Sequence, residues 1–465
     1  MTSVAETTRV LLGEAWSALG GEADLLDLVT VTGDGAGLLP SRLAVLPAMV
    51  AAVSASTLAA SVLDSARCGG RPALVRVDVE HVAVAARSER YARAEGVPEP
   101  DLFAPLSRLW RTADGWLRLH ANYAWHRSRA LGVLACGDRP EAVAEAVEGW
   151  RGEELEDALA AAGAIGYAVR SPREWRAHPQ GRAVAGLPLL DSVAMPGSGR
   201  RAGAGSGAEG LRVLDLTRVI AGPVATRTLA AWGAQVLRLD SPRLPEIPAQ
   251  ALDTLSGKRS AQLDFSQPPG RERLEELLAT ADVLVAGYRP GAFARYGLGP
   301  DALAERHPHL SVVTLSAWGV TGPWAARRGF DSVVQCPTGI ASVEGDGGTG
   351  TPGVLPAQVL DHATGYLAAA AALLARVAVE RGEPPRSVRL SLAQTAHWLT
   401  TAGTGERRAP REIRPEAYLV TLPGAARPVR VVGPPGRAGD LAPEWVFTTD
   451  LGTDPPAFTG AGDAG

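Results

Sequence analysis

Apolar positions along this chain fall into two kinds of run. Short ones, at Val213 to Leu216, Gln235 to Asp240, Ala261 to Phe265, Val283 to Ala286 and Leu310 to Ser316, have the length of buried strands. Longer stretches with helical spacing, Val224 to Trp232 and Gly270 to Ala279, lie between them. Gly233 stops the first helix, which completes a βαβ unit of the length a right-handed crossover needs. Strands alternating with helices predict an α/β fold, a doubly wound parallel sheet with helices on both faces. A smaller α+β domain is predicted upstream. Asp114-Gly115 signals a turn, Trp116 to His120 alternates like a strand, and Glu141 to Trp150 and Glu153 to Ala162 have helical patterns. A short strand, Ile165 to Arg170, then meets a capping box at Ser171, Pro172 and Glu174.

These patterns divide the chain. Residues 1–195 hold a helical and stranded segment followed by the small α+β domain. Residues 196–210, rich in Gly and Ser with no apolar period, read as a linker. The Rossmann-like sheet domain spans 211–400, and 401–465 is a tail rich in Pro and Gly, expected to wrap the surface or stay partly disordered.

One helical stretch stands apart. Leu355 to Arg376 opens on an apolar run, presents Asp361, and continues in Ala and Leu, both strong helix formers. The spacing predicts a helix starting near Asp361, with that residue as its N-cap. A helix N-terminus also favours an ionised carboxylate, which can be a nucleophile. On this stretch alone a plain cap is the simpler reading. Leu39 to Ala66, followed by the strand-like Leu74 to Val79, is a weaker echo of Leu355 to Arg376 and its following strand Ser387 to Leu392. Laying Leu-Pro on Leu-Pro puts Val45 opposite Asp361, as in a partial duplication with one live copy.

Composition narrows the function classes. The 465 residues suffice for two or three domains, and a net charge of -4 gives no basic surplus for nucleic acid. The apolar run Leu367 to Ala375 is too short to span a bilayer, so no membrane role is expected. Cys68, Cys136 and Cys336 are too scattered for a disulfide framework or a zinc site, which fits a cytoplasmic protein with no metal.

In a doubly wound sheet, ligands bind beyond the carboxyl ends of the strands. The loops expected there carry Lys258, Arg259, Arg289 and Arg295, interspersed with glycines that let backbone approach a ligand. Such cations pair with phosphates, and a phosphorylated cofactor is the natural ligand. Solvated loop charge is the bland alternative for any single arginine. A nicotinamide dinucleotide fits poorly, because the turn reads IAGPVA without G-x-G-x-x-G and Pro223 removes an N–H. His120, Asn122 and His126 read as surface residues beside a strand, and His178 and His397 as lone structural histidines.

The blocks LRVLDLTRVIAGPVATRTLAAWGAQVLRLD, GKRSAQLDF, ADVLVAGYRPGAFARYGLG and LSAWGVTGPWAARRGFDSVVQCPTGI, followed by the Asp361 helix, occur in order over residues 210 to 400. Together they resemble the family III CoA-transferases, a group that includes alpha-methylacyl-CoA racemases. Residues 1–195 resemble a rearranged portion of the same family, with small-domain text ahead of large-domain text. The resemblance implies that Asp361 attacks an acyl-CoA thioester, forming an aspartyl anhydride and then an aspartyl-CoA thioester, before CoA passes to a second carboxylic acid. It implies CoA-lining roles for Ile220, Ala221, Lys258, Gly287, Tyr288, Arg289, Arg295 and Arg328, with CoA as substrate rather than a resident cofactor. It also implies a homodimer. Racemases of the group have a His before the Asp of the GFD block; here Phe330 stands there and cannot move a proton. A racemase, epimerase or CoA lyase on the same scaffold, and a non-catalytic acyl-CoA-binding protein, are the alternative expectations.

Overall fold

The structure, a computed structural model, describes residues 4–97, 99, 101–203, 205–346 and 350–459. Its main sheet has seven strands in the order Lys258–Gln262, Gln235–Asp240, Arg212–Leu216, Val283–Ala286, Ser311–Ser316, Arg386–Ser391 and Leu190–Ala194. All neighbours are parallel except the last pair, where Leu190–Ala194 runs antiparallel to Arg386–Ser391. Among the parallel strands the chain starts at Arg212–Leu216, builds outward to one edge, then returns to build the other side, where the earlier Leu190–Ala194 forms the far edge. The direction of winding therefore reverses between Arg212–Leu216 and Val283–Ala286, and a crevice opens beyond the carboxyl ends of those two strands. Buried Val213, Leu214, Val283, Leu284, Val285 and Val313 form the sheet's core-facing surfaces.

The predicted strands at Gln235–Asp240 and Val283–Ala286 match to the residue. The strand expected at Ala261 to Phe265 starts earlier, at Lys258, and ends at Gln262. That shift moves Lys258 from a loop into the sheet, with consequences for the site.

Two long helices form the centre of the molecule. Val45–Cys68 and Val359–Glu380 pack along each other, and the second also packs on the helix Ala221–Ala231. Both are long and apolar enough to cross a membrane, yet 94% of each apolar window is buried inside the protein. They are core helices, apolar all round because neighbours cover every face. Close approach is possible where Gly365 meets the neighbouring helix: a Cβ there would stand 2.6 Å from the Ala221 carbonyl oxygen and 2.8 Å from Val224 Cβ.

The echo seen in the sequence is also structural. Each long helix is followed by a strand that runs directly into another helix. In one copy Asp78 caps that helix by accepting from the His81 N–H at 2.9 Å; in the other Ser391 accepts from the Gln394 N–H at 3.1 Å. Aligning the first residues of the long helices, Val45 and Val359, sets Asp361 opposite Pro47 rather than Val45. Neither register gives the first copy a carboxylate.

The Gly/Ser stretch 196–210 is strapped across the ends of the two long helices. Arg67 donates to the Gly203 and Gly207 carbonyls, Asp64 accepts from the Gly207 N–H, and Glu380 accepts from the Ala202 N–H. Over its described residues the tail pairs with the rest of the chain. Val429–Val432 lies between Leu419–Leu422 and Arg93–Ala94 and pairs with both, and Arg437–Ala438 joins the small sheet formed by Val29–Thr32 and Val75–Asp78. Thus the tail completes the N-terminal module. The small α+β domain, with strands Leu109–Arg111, Trp116–Leu119 and Gly166–Ala168, closes over the open end of the main sheet.

Candidate active site

The crevice at the reversal of winding is a cavity of about 810 Å³. Its floor comes from the loops after Arg212–Leu216 and Val283–Ala286, which contribute Leu216, Arg218, Val219, Ala221, Gly287, Tyr288 and Arg289. Arg328 and Phe330 line one side, Asp361 reaches in from the first turn of its helix, and the helix Ala124–Leu134 supplies the roof through His126 and Arg129. One chain therefore builds the cavity from both of its halves.

The floor is strained. Val219 has φ of 68°, the left-handed region that β-branched residues avoid. Its N–H is held by Glu246 Oε2 at 3.1 Å, so a buried carboxylate enforces the conformation. Glu246 is a hub, pairing with Arg218 at 3.4 Å and Arg238 at 3.0 Å and accepting from the Tyr123 hydroxyl. This last bond ties the small domain to the sheet domain at the cavity's rim.

Asp361 lies in the third position of its helix, which begins at Val359 with Gln358 as its N-cap residue. The expected capping role is corrected accordingly: the Asp361 carboxylate has no hydrogen-bond partner among the described residues. Its backbone N–H instead donates to Asp331 Oδ2 at 3.0 Å. The expected ionisation by the helix dipole is also outweighed. Burial, then the Asp331 and Glu89 carboxylates, push Asp361 well above the ordinary carboxylate range. Burial likewise pushes Asp331 up, to about 6, but Asp331 accepts from Gln335 and from backbone N–H groups. Donors on Asp331 and none on Asp361 favour negative charge on Asp331 over negative charge on Asp361.

The positive residues separate into two groups. Arg289 and Arg328 line the cavity beside Arg129, and among the described residues none of the three has a carboxylate partner in an ion pair. The Arg289 and Arg129 charges, after burial, hold the Arg328 guanidinium below its usual range. Three unneutralised guanidiniums at a concave surface suit a multiply charged anion. Lys258 belongs to the other group and is a correction. It is fully buried within the sheet, its Nζ held by Asp215 Oδ2 at 3.0 Å, the Pro223 carbonyl at 2.9 Å and Thr226 Oγ1 at 2.6 Å. Burial pulls its ammonium down to about 8, while Lys258 and Arg238 help keep Asp215 below the ordinary range, so the pair is ionised at neutral pH. Lys258 is a structural residue, spent on its own fold.

Ile220 is buried and lies behind the cavity wall rather than on it, so its lining role is corrected as well; its neighbour Ala221 and the residues Gly287 and Tyr288 are on the wall. The side chain of Arg295 lies outside the described residues.

Sequence reasoning missed the roof. His126 is buried, and burial followed by the Arg328, Arg129 and Arg218 charges takes it down to about 3, so it is neutral in the working range. Phe330 stacks on His120 at 4.0 Å between ring centroids. The clustering of His120, Tyr123, Trp125 and His126 in the sequence was the available signal; only their distant partner Phe330 turns it into a wall.

Comparison with known proteins bears on this arrangement. Residues 208–425 match the model of CoA-transferase family III. That segment belongs to CoA-transferase family III. An acyl-CoA transferase of Gibberella moniliformis is 29% identical over 341 residues, 63% of this chain and 60% of that protein. A probable fatty acyl-CoA transferase of Mycobacterium tuberculosis is 34% identical over 205 residues, 40% of this chain and 51% of that protein. Mouse succinyl-CoA:glutarate CoA-transferase is 32% identical over 188 residues, 37% of this chain and 43% of that protein. A crystal structure of the M. tuberculosis protein superposes with a TM-score of 0.38 at 32% identity, covering 42% of this chain and 56% of the other. The chain spans about half the length of the curated relatives it matches.

Proposed function

We propose that this protein transfers CoA from an acyl-CoA to a carboxylic acid, with Asp361 as the nucleophile. The observation that carries the reading is a carboxylate without protein partners, reaching into a cavity rimmed by unpaired guanidiniums. Arg129, Arg289 and Arg328 hold the phosphates of CoA, which sets the thioester toward Asp361. A carboxylate oxygen of Asp361 attacks the thioester carbonyl, the C–S bond breaks, and an acyl-aspartyl anhydride forms with CoA thiolate as the leaving group. The thiolate then attacks the Asp361 carbonyl and releases the first acid, leaving an aspartyl-CoA thioester. The second acid's carboxylate attacks the aspartyl carbonyl of this thioester, and the C–S bond breaks to give a second acyl-aspartyl anhydride and CoA thiolate. The thiolate then attacks the new acyl carbonyl, forming the product acyl-CoA and releasing the Asp361 carboxylate.

Asp361 must be ionised to attack. Proton loss from the Asp361–Asp331 pair therefore sets the acid limb of the rate profile. A racemase reading would use Asp361 as a proton carrier with a second acid-base group, yet Phe330 cannot serve and His126 is held neutral far from its ordinary range. The homodimer implied by the family resemblance gives way in this proposal to a self-completing chain, because the roof and the nucleophile come from one polypeptide. Light scattering at the chain mass of 48.3 kDa checks that assignment.

The mechanism is tested by incubating the enzyme with a panel of acyl-CoAs and quenching with hydroxylamine. A hydroxamate on the Asp361 tryptic peptide, absent in Asp361→Ala, is expected. No label, with solvent deuterium at the substrate's alpha carbon, would overturn the transferase reading in favour of proton transfer.

A further inference from the structure

The turn Ser88–Arg90, part of the N-terminal module, lies beneath the start of the Asp361 helix, and its three consecutive side chains reach three different supports. Ser88 is buried inside the Arg227–Asp253 ion pair, donating to Asp253 Oδ2 at 2.8 Å and accepting from Arg227 Nη2 at 2.9 Å. That anchors the turn to the helix Ala221–Ala231, whose N-terminus faces the cavity. Glu89 is buried and its Oε2 lies 3.1 Å from Nε2 of the fully buried His362, the residue next to Asp361. Arg90 donates to the Pro356 carbonyl at 3.3 Å, on the segment that leads into the helix. The nucleophile is thus bracketed on its N-terminal side by Arg90 and on its C-terminal side by Glu89.

The Glu89–His362 contact is costly for a purely structural pair. Glu89 Oε1 and His362 Nδ1 are both buried without hydrogen-bond partners. Unsatisfied buried groups of this kind are rare and call for a physical reason. The reason offered by the geometry is positional. Asp331 fixes the Asp361 backbone through its N–H but leaves the carboxylate free. The orientation of the first helical turn is then set by what grips its neighbour, and that grip is Glu89.

We infer that Ser88, Glu89 and Arg90 form a clamp through which the catalytically silent N-terminal module positions Asp361, with Glu89 acting through His362. This inference rests on Asp361 being the acylated residue. The titratable groups that face Asp361 are Asp331 from the helix Asp331–Val334, Glu89 from the clamp and His362 from its own helix. Arg90 reaches Glu89 only at 4.0 Å.

The test compares Glu89→Ala, Glu89→Gln and wild type, using the acyl-CoA that wild type turns over fastest in a panel of straight-chain and dicarboxylic acyl-CoAs. Misplacement of a reacting group by about 1 Å costs on the order of 100-fold in rate. Glu89→Ala is expected to lower kcat by about 10- to 100-fold with KM changed by less than about twofold, since CoA is held elsewhere. Glu89→Gln keeps an acceptor for His362 and should recover most of kcat. It also removes a negative charge that opposes ionisation of Asp361, so its acid limb should move to lower pH. Should Glu89→Ala fail to fold, the isosteric Glu89→Gln decides by its acid limb alone. Wild-type kcat and an unmoved limb in both variants would overturn the clamp while hydroxylamine still labels Asp361. Absence of that label in wild type is the separate result that overturns the transferase reading itself.

Discussion

Replacing Lys258 distinguishes a buried structural lysine from a phosphate ligand. In Lys258→Met the side chain keeps its bulk but loses the ammonium. The structure shows what is lost: a charged pair with Asp215 at 3.0 Å and hydrogen bonds to Thr226 at 2.6 Å and the Pro223 carbonyl at 2.9 Å. A hydrogen bond to a charged group contributes about 1.5–3 kcal/mol, and a buried carboxylate left without its partner adds a desolvation penalty. Removing one member of a buried pair costs about 3–5 kcal/mol in total. Urea denaturation followed by circular dichroism should show that loss as a lower midpoint with an unchanged slope. Calorimetry on the folded variant should give CoA affinity within about twofold of wild type, whereas one phosphate contact is worth about tenfold or more. An unchanged denaturation midpoint combined with a tenfold or greater loss of CoA affinity would refute the structural role. A companion variant, Lys258→Met with Asp215→Asn, removes the stranded charge and should regain part of the stability, since contacting residues couple.

Other outcomes follow from the same geometry. Asp331→Asn removes the carboxylate whose charge raises Asp361, so the acid limb of transfer should move to lower pH by about one unit, read from kcat/KM against pH. Arg289→Ala with Arg328→Ala should weaken CoA binding while leaving the unfolding midpoint nearly unchanged, with a larger loss at low ionic strength, read by calorimetry at two salt concentrations. Gly365→Ala puts a methyl group 2.6 Å from the Ala221 carbonyl oxygen, and the forced separation of the two helices should lower stability by about 1–3 kcal/mol in thermal denaturation.

The parallel sheet was legible because central strands such as Val283–Ala286 are short apolar runs between helical periods, and burial on both faces demands that pattern. The residue proposed as nucleophile was legible by type and place, since only one carboxylate stands at the head of the apolar helix Val359–Glu380. Its ionisation state was not. That depends on Asp331, thirty residues earlier, and Glu89, in the other half of the chain. Lys258 misled because Gly257 and Arg259 give it a loop-like neighbourhood, while its strand register, paired with Val236, turns it inward onto Asp215. The tail misled in the opposite sense. Its Pro and Gly content reads as loose chain, but the strand Val429–Val432 finds partners in Leu419–Leu422 and Arg93–Ala94, contacts of long separation that local composition does not encode.

The two helix–strand–helix units differ in a way the packing explains. A helix as apolar as Val45–Cys68 needs a partner along its full length, and Val359–Glu380 supplies one; neither could face water alone. The first unit has the burial pattern and the capped strand-to-helix turn at Asp78 that the interface requires. At the head of that helix, where the second copy places Asp361, stand Val45, Leu46, Pro47 and Ala48, all buried. A carboxylate there would be desolvated without a cavity to serve, at a cost of several kcal/mol. The carboxylate stands only in the helix whose head opens on the cavity. Only the second copy is joined to the strands whose carboxyl ends open it. The first half of the chain reaches the cavity through the roof helix Ala124–Leu134 of the small domain and approaches Asp361 through the turn at Glu89 of the N-terminal module, so residues outside the sheet domain shape the proposed site.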